Sequence, residues 1–191
     1  MWNNSRSLPF GPVTATTARF AVGQQVTVSA EATDPEDGAL PGSAITWTVK
    51  LQHGTHTHPY AGPVTGSSIT IKYPAPEDLA ATQNSYLVAT AVATDSRGLT
   101  TTVERKQLPR QVSLSFATDP TGGRVQVNGT NRATPTNLVS WAGYRLQLNA
   151  PNQTINGVPY TFRSWSDGGA QTHTITTPST ATTYTANFSR G

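Results

Sequence analysis

The octapeptide Ala44-Ile-Thr-Trp-Thr-Val-Lys-Leu51 sets Ile45, Trp47, Val49 and Leu51 on one side of an extended chain, with Thr46, Thr48 and Lys50 on the other. A period of two is the signature of a half-buried β-strand. The same alternation recurs upstream in Gln25-Val-Thr-Val-Ser-Ala-Glu-Ala32, where Val26, Val28 and Ala30 share a face, and downstream in Ser68-Ile-Thr-Ile-Lys-Tyr73 and Ser85-Tyr-Leu-Val-Ala-Thr-Ala-Val-Ala93. With a last strand near residues 99–105 these make about seven short strands at regular spacing, which predicts an immunoglobulin-like β-sandwich with Trp47 between its sheets.

Nothing in the chain argues for helix. No stretch carries apolar residues at i, i+3, i+4 and i+7, and the 191 residues include 16 glycines and 14 prolines. The fold class expected is all-β, in two small domains. The short polar run Arg105-Lys-Gln-Leu-Pro-Arg-Gln111, broken by Pro109, sets the boundary: residues 1–109 form the sandwich and residues 110–191 a second β domain. In that second half, Val112–Phe116, Gly123–Asn128, Tyr144–Asn149, Tyr160–Trp165, His173–Thr176 and Thr182–Phe188 read as strands. The dipeptide Asn128-Gly129 marks a tight hairpin, because both residues accept positive φ at low steric cost.

Charge and hydropathy narrow the function classes. A formal charge of +3 is spread over isolated arginines, so no basic stripe follows a phosphate backbone and nucleic acid is not an expected partner. No segment has the eighteen or so apolar residues that a spanning helix needs, so membrane insertion is not expected. The start, Met1-Trp-Asn-Asn4, lacks the charged and apolar regions of a signal peptide, and the expectation is a piece of a longer protein. Low lysine, high threonine and abundant turn residues match secreted bacterial accessory modules in composition.

The least scaffold-like stretch is Leu51-Gln-His-Gly-Thr-His-Thr-His-Pro-Tyr60, which holds three of the four histidines, His53, His56 and His58, within six residues. In an extended segment, His56 and His58 emerge on one face roughly 6–7 Å apart. Such a face can grip a metal ion or line a polar groove. A closed zinc site needs four ligands and the chain has no cysteine, so a further ligand such as a carboxylate has to come from elsewhere. Two acidic turns offer different chemistry. Asp34-Pro-Glu-Asp-Gly38 contributes Asp34, Glu36 and Asp37, and Asp95 lies in Thr94-Asp-Ser-Arg-Gly98; if the turns meet, their oxygens suit calcium, and otherwise the aspartates shape the turns through backbone hydrogen bonds. For a sugar, the candidates are His53, His56, His58 and Tyr60 as one surface and Trp141, beside the turn-like Ala142-Gly143, as another. Trp165 reads as core, and Trp2 is too close to the terminus to count. Ser166 and Asp167 lie near His173, but no nucleophile elbow surrounds the serine and the acids are scattered, so no enzyme is expected.

The motifs Ala32-Thr-Asp-Pro-Glu-Asp-Gly-Ala-Leu-Pro41, Ile45-Thr-Trp47, His53-Gly-Thr-His-Thr-His-Pro-Tyr60 and Ala93-Thr-Asp-Ser-Arg-Gly-Leu-Thr100, in that order, resemble polycystic-kidney-disease-type immunoglobulin-like modules. Modules of this kind occur C-terminal in secreted quinoprotein sugar dehydrogenases of the glucose/sorbosone type and in polysaccharide-degrading enzymes. The second half, with Gly122-Gly-Arg-Val-Gln-Val-Asn-Gly129, Phe162-Arg-Ser-Trp-Ser-Asp-Gly-Gly169 and Tyr184-Thr-Ala-Asn-Phe188, is similar to the divergent internalin B-type repeat. Neither resemblance carries an active site. Together they imply a non-catalytic, secreted accessory module that binds a polysaccharide and sits beside the catalytic domain of its parent protein. The alternatives are a spacer or cell-surface adhesion module without sugar affinity, and a metal-binding domain built on the histidines.

Overall fold

A computed structural model describes Gly11, Thr14–Ala15 and residues 19–191. Trp2 lies outside the described residues. The chain is all-β and divides into two compact units, one of residues 1–74 and 84–109 and the other of residues 75–83 and 110–191. Residues 75–83 therefore leave the first unit and belong to the second.

The first unit contains β1 (Thr14–Ala15), β2 (Arg19–Phe20), β3 (Gln25–Ser29), β4 (Thr33–Asp34), β5 (Gly38–Ala39), β6 (Ile45–His53), β7 (His56–Thr65), β8 (Ser68–Lys72), β9 (Ser85–Thr94) and β10 (Thr100–Pro109). One sheet runs β1-β3-β8, a second runs β2-β10-β9-β6-β7, and β4-β5 form a separate ribbon. Alternation decides what lies between the sheets: Val26, Val28, Ile69 and Ile71 from one meet Ile45, Trp47, Val49, Leu87 and Ala89 from the other, all buried. Trp47 fits because its cross-strand neighbour on β9 is Ala91, which leaves room for the indole. The indole N–H donates to the Gly66 carbonyl at 2.9 Å, so the largest core side chain keeps no unsatisfied donor. Tyr73 stacks on Phe20 with ring centroids 3.9 Å apart, and its hydroxyl donates to Gln107 Oε1 at 2.9 Å.

The second unit contains β11 (Gln111–Asp119), β12 (Arg124–Val127), β13 (Thr130–Ala133), β14 (Thr136–Trp141), β15 (Arg145–Asn149), β16 (Gln153–Ile155), β17 (Val158–Trp165), β18 (Thr172–Thr176) and β19 (Thr182–Arg190). Its sheets run β14-β11-β19-β17-β16 and β13-β12-β15-β18. Leu114, Phe116, Tyr184 and Ala186 on the first and Val125, Val127, Leu146 and Leu148 on the second are buried and form the core. Asn128 and Gly129, at φ 48 and 75, close the β12–β13 hairpin as the sequence predicts. Asn156 and Gly157 do the same between β16 and β17 at φ 50 and 79.

Candidate metal centre

The histidine-bearing stretch is a β-hairpin. β6 and β7 are joined by the two residues Gly54 and Thr55, with His53 directly opposite His56 and Leu51 opposite His58. Gly54 takes the first turn position at φ 54, where a side chain would be strained. The turn is tied down on two sides: the Gln52 side-chain amide donates to the Gly54 carbonyl at 2.8 Å, and the Gly54 N–H donates to the Asn84 carbonyl at 3.3 Å. β6 is an inner strand, so His53 also pairs with Ser85 of β9 and cannot drift.

Cross-strand opposition puts His53 and His56 on one face, and the period of two adds His58 to it. The ring centroids of His53 and His56 lie 5.0 Å apart and those of His56 and His58 4.9 Å apart, each pair edge-on. One donor nitrogen from each ring falls within 4.8 Å of the others; His53 is half-buried and His56 and His58 are exposed. Imidazole nitrogens around a tetrahedral Zn2+ at about 2.0–2.1 Å stand about 3.3 Å apart. Small rotations of the two exposed rings cover that difference, while the inner-strand His53 stays fixed. The set is a tripod of three neutral donors on a two-stranded platform, suited to Zn2+, Cu2+ or Ni2+.

Tyr60 lies two residues beyond His58, at an irregularity where β7 departs from regular pairing with Val49 and Lys50. Its hydroxyl donates to the Lys72 carbonyl at the end of β8, so the phenol bridges the two sheets rather than standing free. Burial raises its pKa, which keeps the proton on that hydroxyl.

The structure corrects the second sugar-stacking candidate. Trp141 is fully buried in the second unit and its indole N–H donates to the Thr82 carbonyl at 2.7 Å, so it cannot stack on a sugar. The expected turn beside it exists, with Tyr144 N–H donating to the Trp141 carbonyl, but the ring turns inward against residues 75–83. Trp165 is core as expected, at 2% exposure.

The acidic turns do meet, and hydrogen bonds from the chain join them. Asp34 Oδ1 accepts the N–H groups of Glu36 and Asp37, both at 2.8 Å. Asp95 Oδ1 accepts those of Arg97 and Leu99 at 2.9 and 2.7 Å. Asp37 clasps the other turn directly, accepting the Ser96 N–H and hydroxyl at 2.9 Å each, and these bonds, the backbone one foremost, lower its pKa. Glu36 faces Arg97 at 3.9 Å across an exposed surface. Backbone and Ser96 donors thus occupy Asp34 Oδ1, Asp95 Oδ1 and both Asp37 oxygens, and among the described residues no three of Asp34, Glu36, Asp37 and Asp95 are grouped with converging ligand atoms.

A pairing that the sequence only hinted at lies in the second unit. His173 Nε2 contacts Asp167 Oδ2 at 3.0 Å and Nδ1 contacts the Ala170 carbonyl at 2.8 Å, with the ring edge-on to Trp165. Ser166 Oγ instead accepts the Thr185 N–H, so the three do not form a nucleophilic relay. The pair folds the Asp167-Gly-Gly-Ala170 loop.

No protein-family model and no curated protein matches the chain. Among solved structures, a crystal structure of the group B streptococcus pilus 2b backbone protein matches at 11% identity and a TM-score of 0.33, covering 95% of this chain and 98% of that one. A likeness so distant carries no argument about this protein.

Proposed function

We propose that this chain is a non-catalytic accessory portion of a larger secreted protein, and that its first unit binds one divalent transition-metal ion through His53, His56 and His58. The observation that carries the reading is the convergence of three imidazole donors within 4.8 Å on one face of a single hairpin. The resemblance of the first half to appended immunoglobulin-like modules supports the accessory role. Among the described residues no tryptophan is placed to stack on a sugar, since Trp47, Trp141 and Trp165 are buried, so that alternative rests on the exposed Tyr60 ring beside the histidines, whose hydroxyl is engaged with the Lys72 carbonyl.

The test is thermal unfolding with and without Zn2+, alongside elemental analysis of the purified chain. An ion that binds only the folded state, at a hundred times its Kd, adds about 2.7 kcal/mol, on the order of 10–20 °C for a unit of this size. Chelator should reverse the shift, and His56→Ala and His58→Ala should each abolish it while leaving the metal-free transition unchanged, since both rings are exposed. Absence of a zinc-dependent shift in the unaltered chain would overturn the reading. Affinity electrophoresis against a panel of neutral glycans, repeated with His56→Ala and Tyr60→Ala, separates the alternative: retardation lost in both variants would restore the sugar-binding surface.

A further inference from the structure

The tripod is an incomplete ligand set, and the chemistry around it says what is missing. Residues 45–65, which include both strands of the hairpin, contain no aspartate or glutamate, and the chain contains no cysteine. Among the described residues no carboxylate joins the three histidines as a ligand group. Tyr60, the next side chain along the face, spends its hydroxyl on the Lys72 carbonyl. Three neutral imidazoles leave a divalent ion its full charge of two. A tetrahedral ion with three protein donors keeps a fourth position. The two exposed donors, His56 and His58, lie on β7, which pairs with β6 alone and so forms the rim of its sheet.

We infer that the metal-loaded tripod takes its fourth ligand from outside the chain, and that this ligand is a carboxylate. The inference rests on the metal reading above and goes beyond it by naming the class of partner. Carboxylate oxygen is the hard, anionic donor that completes nitrogen sites on zinc-like ions, at about 2.0–2.2 Å, and it offsets the local positive charge. Two sources share that chemistry: a small free carboxylate, and the uronate groups of an acidic polysaccharide. A polymer of uronates presents many carboxylates along one chain, so the first contact raises the local concentration for the next.

Cobalt(II) substitution makes the centre visible, because the ligand-field bands of four-coordinate Co2+ respond to exchange of a single ligand. The Co2+-loaded full chain is titrated separately with sodium acetate, with oligogalacturonate, and with a neutral oligosaccharide of equal length. The expected result is a saturable change in the bands with acetate and with oligogalacturonate, none with the neutral sugar, and none at all in His56→Ala. Half-saturation by oligogalacturonate at a tenfold or lower carboxylate concentration than acetate identifies the polymer as the source, and equal half-saturation identifies any small carboxylate. Bands that form with Co2+ but stay unchanged in both acids overturn the inference while sparing the metal site. Failure of Co2+ to give ligand-field bands at all overturns both.

Discussion

Tyr73 and Gln107 form a polar bridge inside the first sandwich, and its removal tests how that core is held. The phenol donates to Gln107 Oε1 at 2.9 Å, both side chains are buried, and Gln107 Nε2 is a buried donor that meets no acceptor. Tyr73→Phe keeps the ring stacked on Phe20 but strips the amide of its remaining partner. Leaving a buried amide unsatisfied costs about 1–3 kcal/mol, whereas replacing both partners by apolar groups of similar shape is nearly neutral. Tyr73→Phe should therefore lower unfolding free energy by about 1–3 kcal/mol, and Tyr73→Phe combined with Gln107→Leu should recover most of that loss. A second signature comes from pH. Burial pushes the Tyr73 hydroxyl up to about 12 from an ordinary value of 10.0. Below pH 10 the phenol is protonated in both folded and unfolded chains and its contribution is fully present; above that the unfolded chain loses its proton first, so stability falls as pH rises toward 12, by about 3 kcal/mol in all. Tyr60, also raised by burial, shares the direction but is retained in the variant, so the difference between the two proteins isolates Tyr73. Urea unfolding followed by circular dichroism from pH 7 to 11 reads both effects. The reasoning fails if the double variant is no more stable than Tyr73→Phe, or if the single variant loses stability with rising pH as steeply as the parent.

Three further perturbations address the scaffolds of the two units. Gly62→Ala places a methyl 2.4 Å from the Trp47 carbonyl at a backbone φ of +88, so the first unit should lose about 2–4 kcal/mol, visible as a lower Tm for that transition. Asp37 has its pKa depressed by the Ser96 N–H and hydroxyl, so its contribution is present above the ordinary value of 3.8 and disappears as pH falls through the lowered one; Asp37→Asn should flatten the acid limb of the stability curve. Trp141→Phe removes one of two donors to the Thr82 carbonyl, Gln111 Nε2 keeping its bond at 2.9 Å, and should cost the second unit about 0.5–1.5 kcal/mol in urea unfolding while leaving any zinc-dependent shift of the first unit unaltered.

What the sequence disclosed depended on whether a residue's environment is local. Strands β3, β6, β8 and β9 were legible because one face of each is buried, and burial writes a period of two into the residues themselves. β7 was not. Its ten residues are almost all exposed and include Pro59 and Pro63, which read as breakers; an edge strand tolerates them because half its N–H groups have no ladder to complete. Recognising β7 turns the extended histidine stretch into a hairpin, and the hairpin is what brings His53 opposite His56. The hydrogen bonding of the carboxylates was hidden for a different reason. Asp34, Glu36, Asp37 and Asp95 look like cation ligands when only side chains are counted, and the N–H groups that satisfy three of them belong to the backbone, which has no letter in the sequence. Trp141 was misjudged because its partner carbonyl, Thr82, lies 59 positions away.

The three imidazoles come from His53 to His58, a span of six consecutive residues closed by one two-residue turn. Their meeting therefore asks of the distant chain only the start of β9, which holds Gly54 and His53 in place through Asn84 and Ser85. Such a cassette is transplantable: grafted onto the ribbon of an unrelated host with the same turn, it should carry its affinity along, and a lineage can gain or discard it without rebuilding the body underneath.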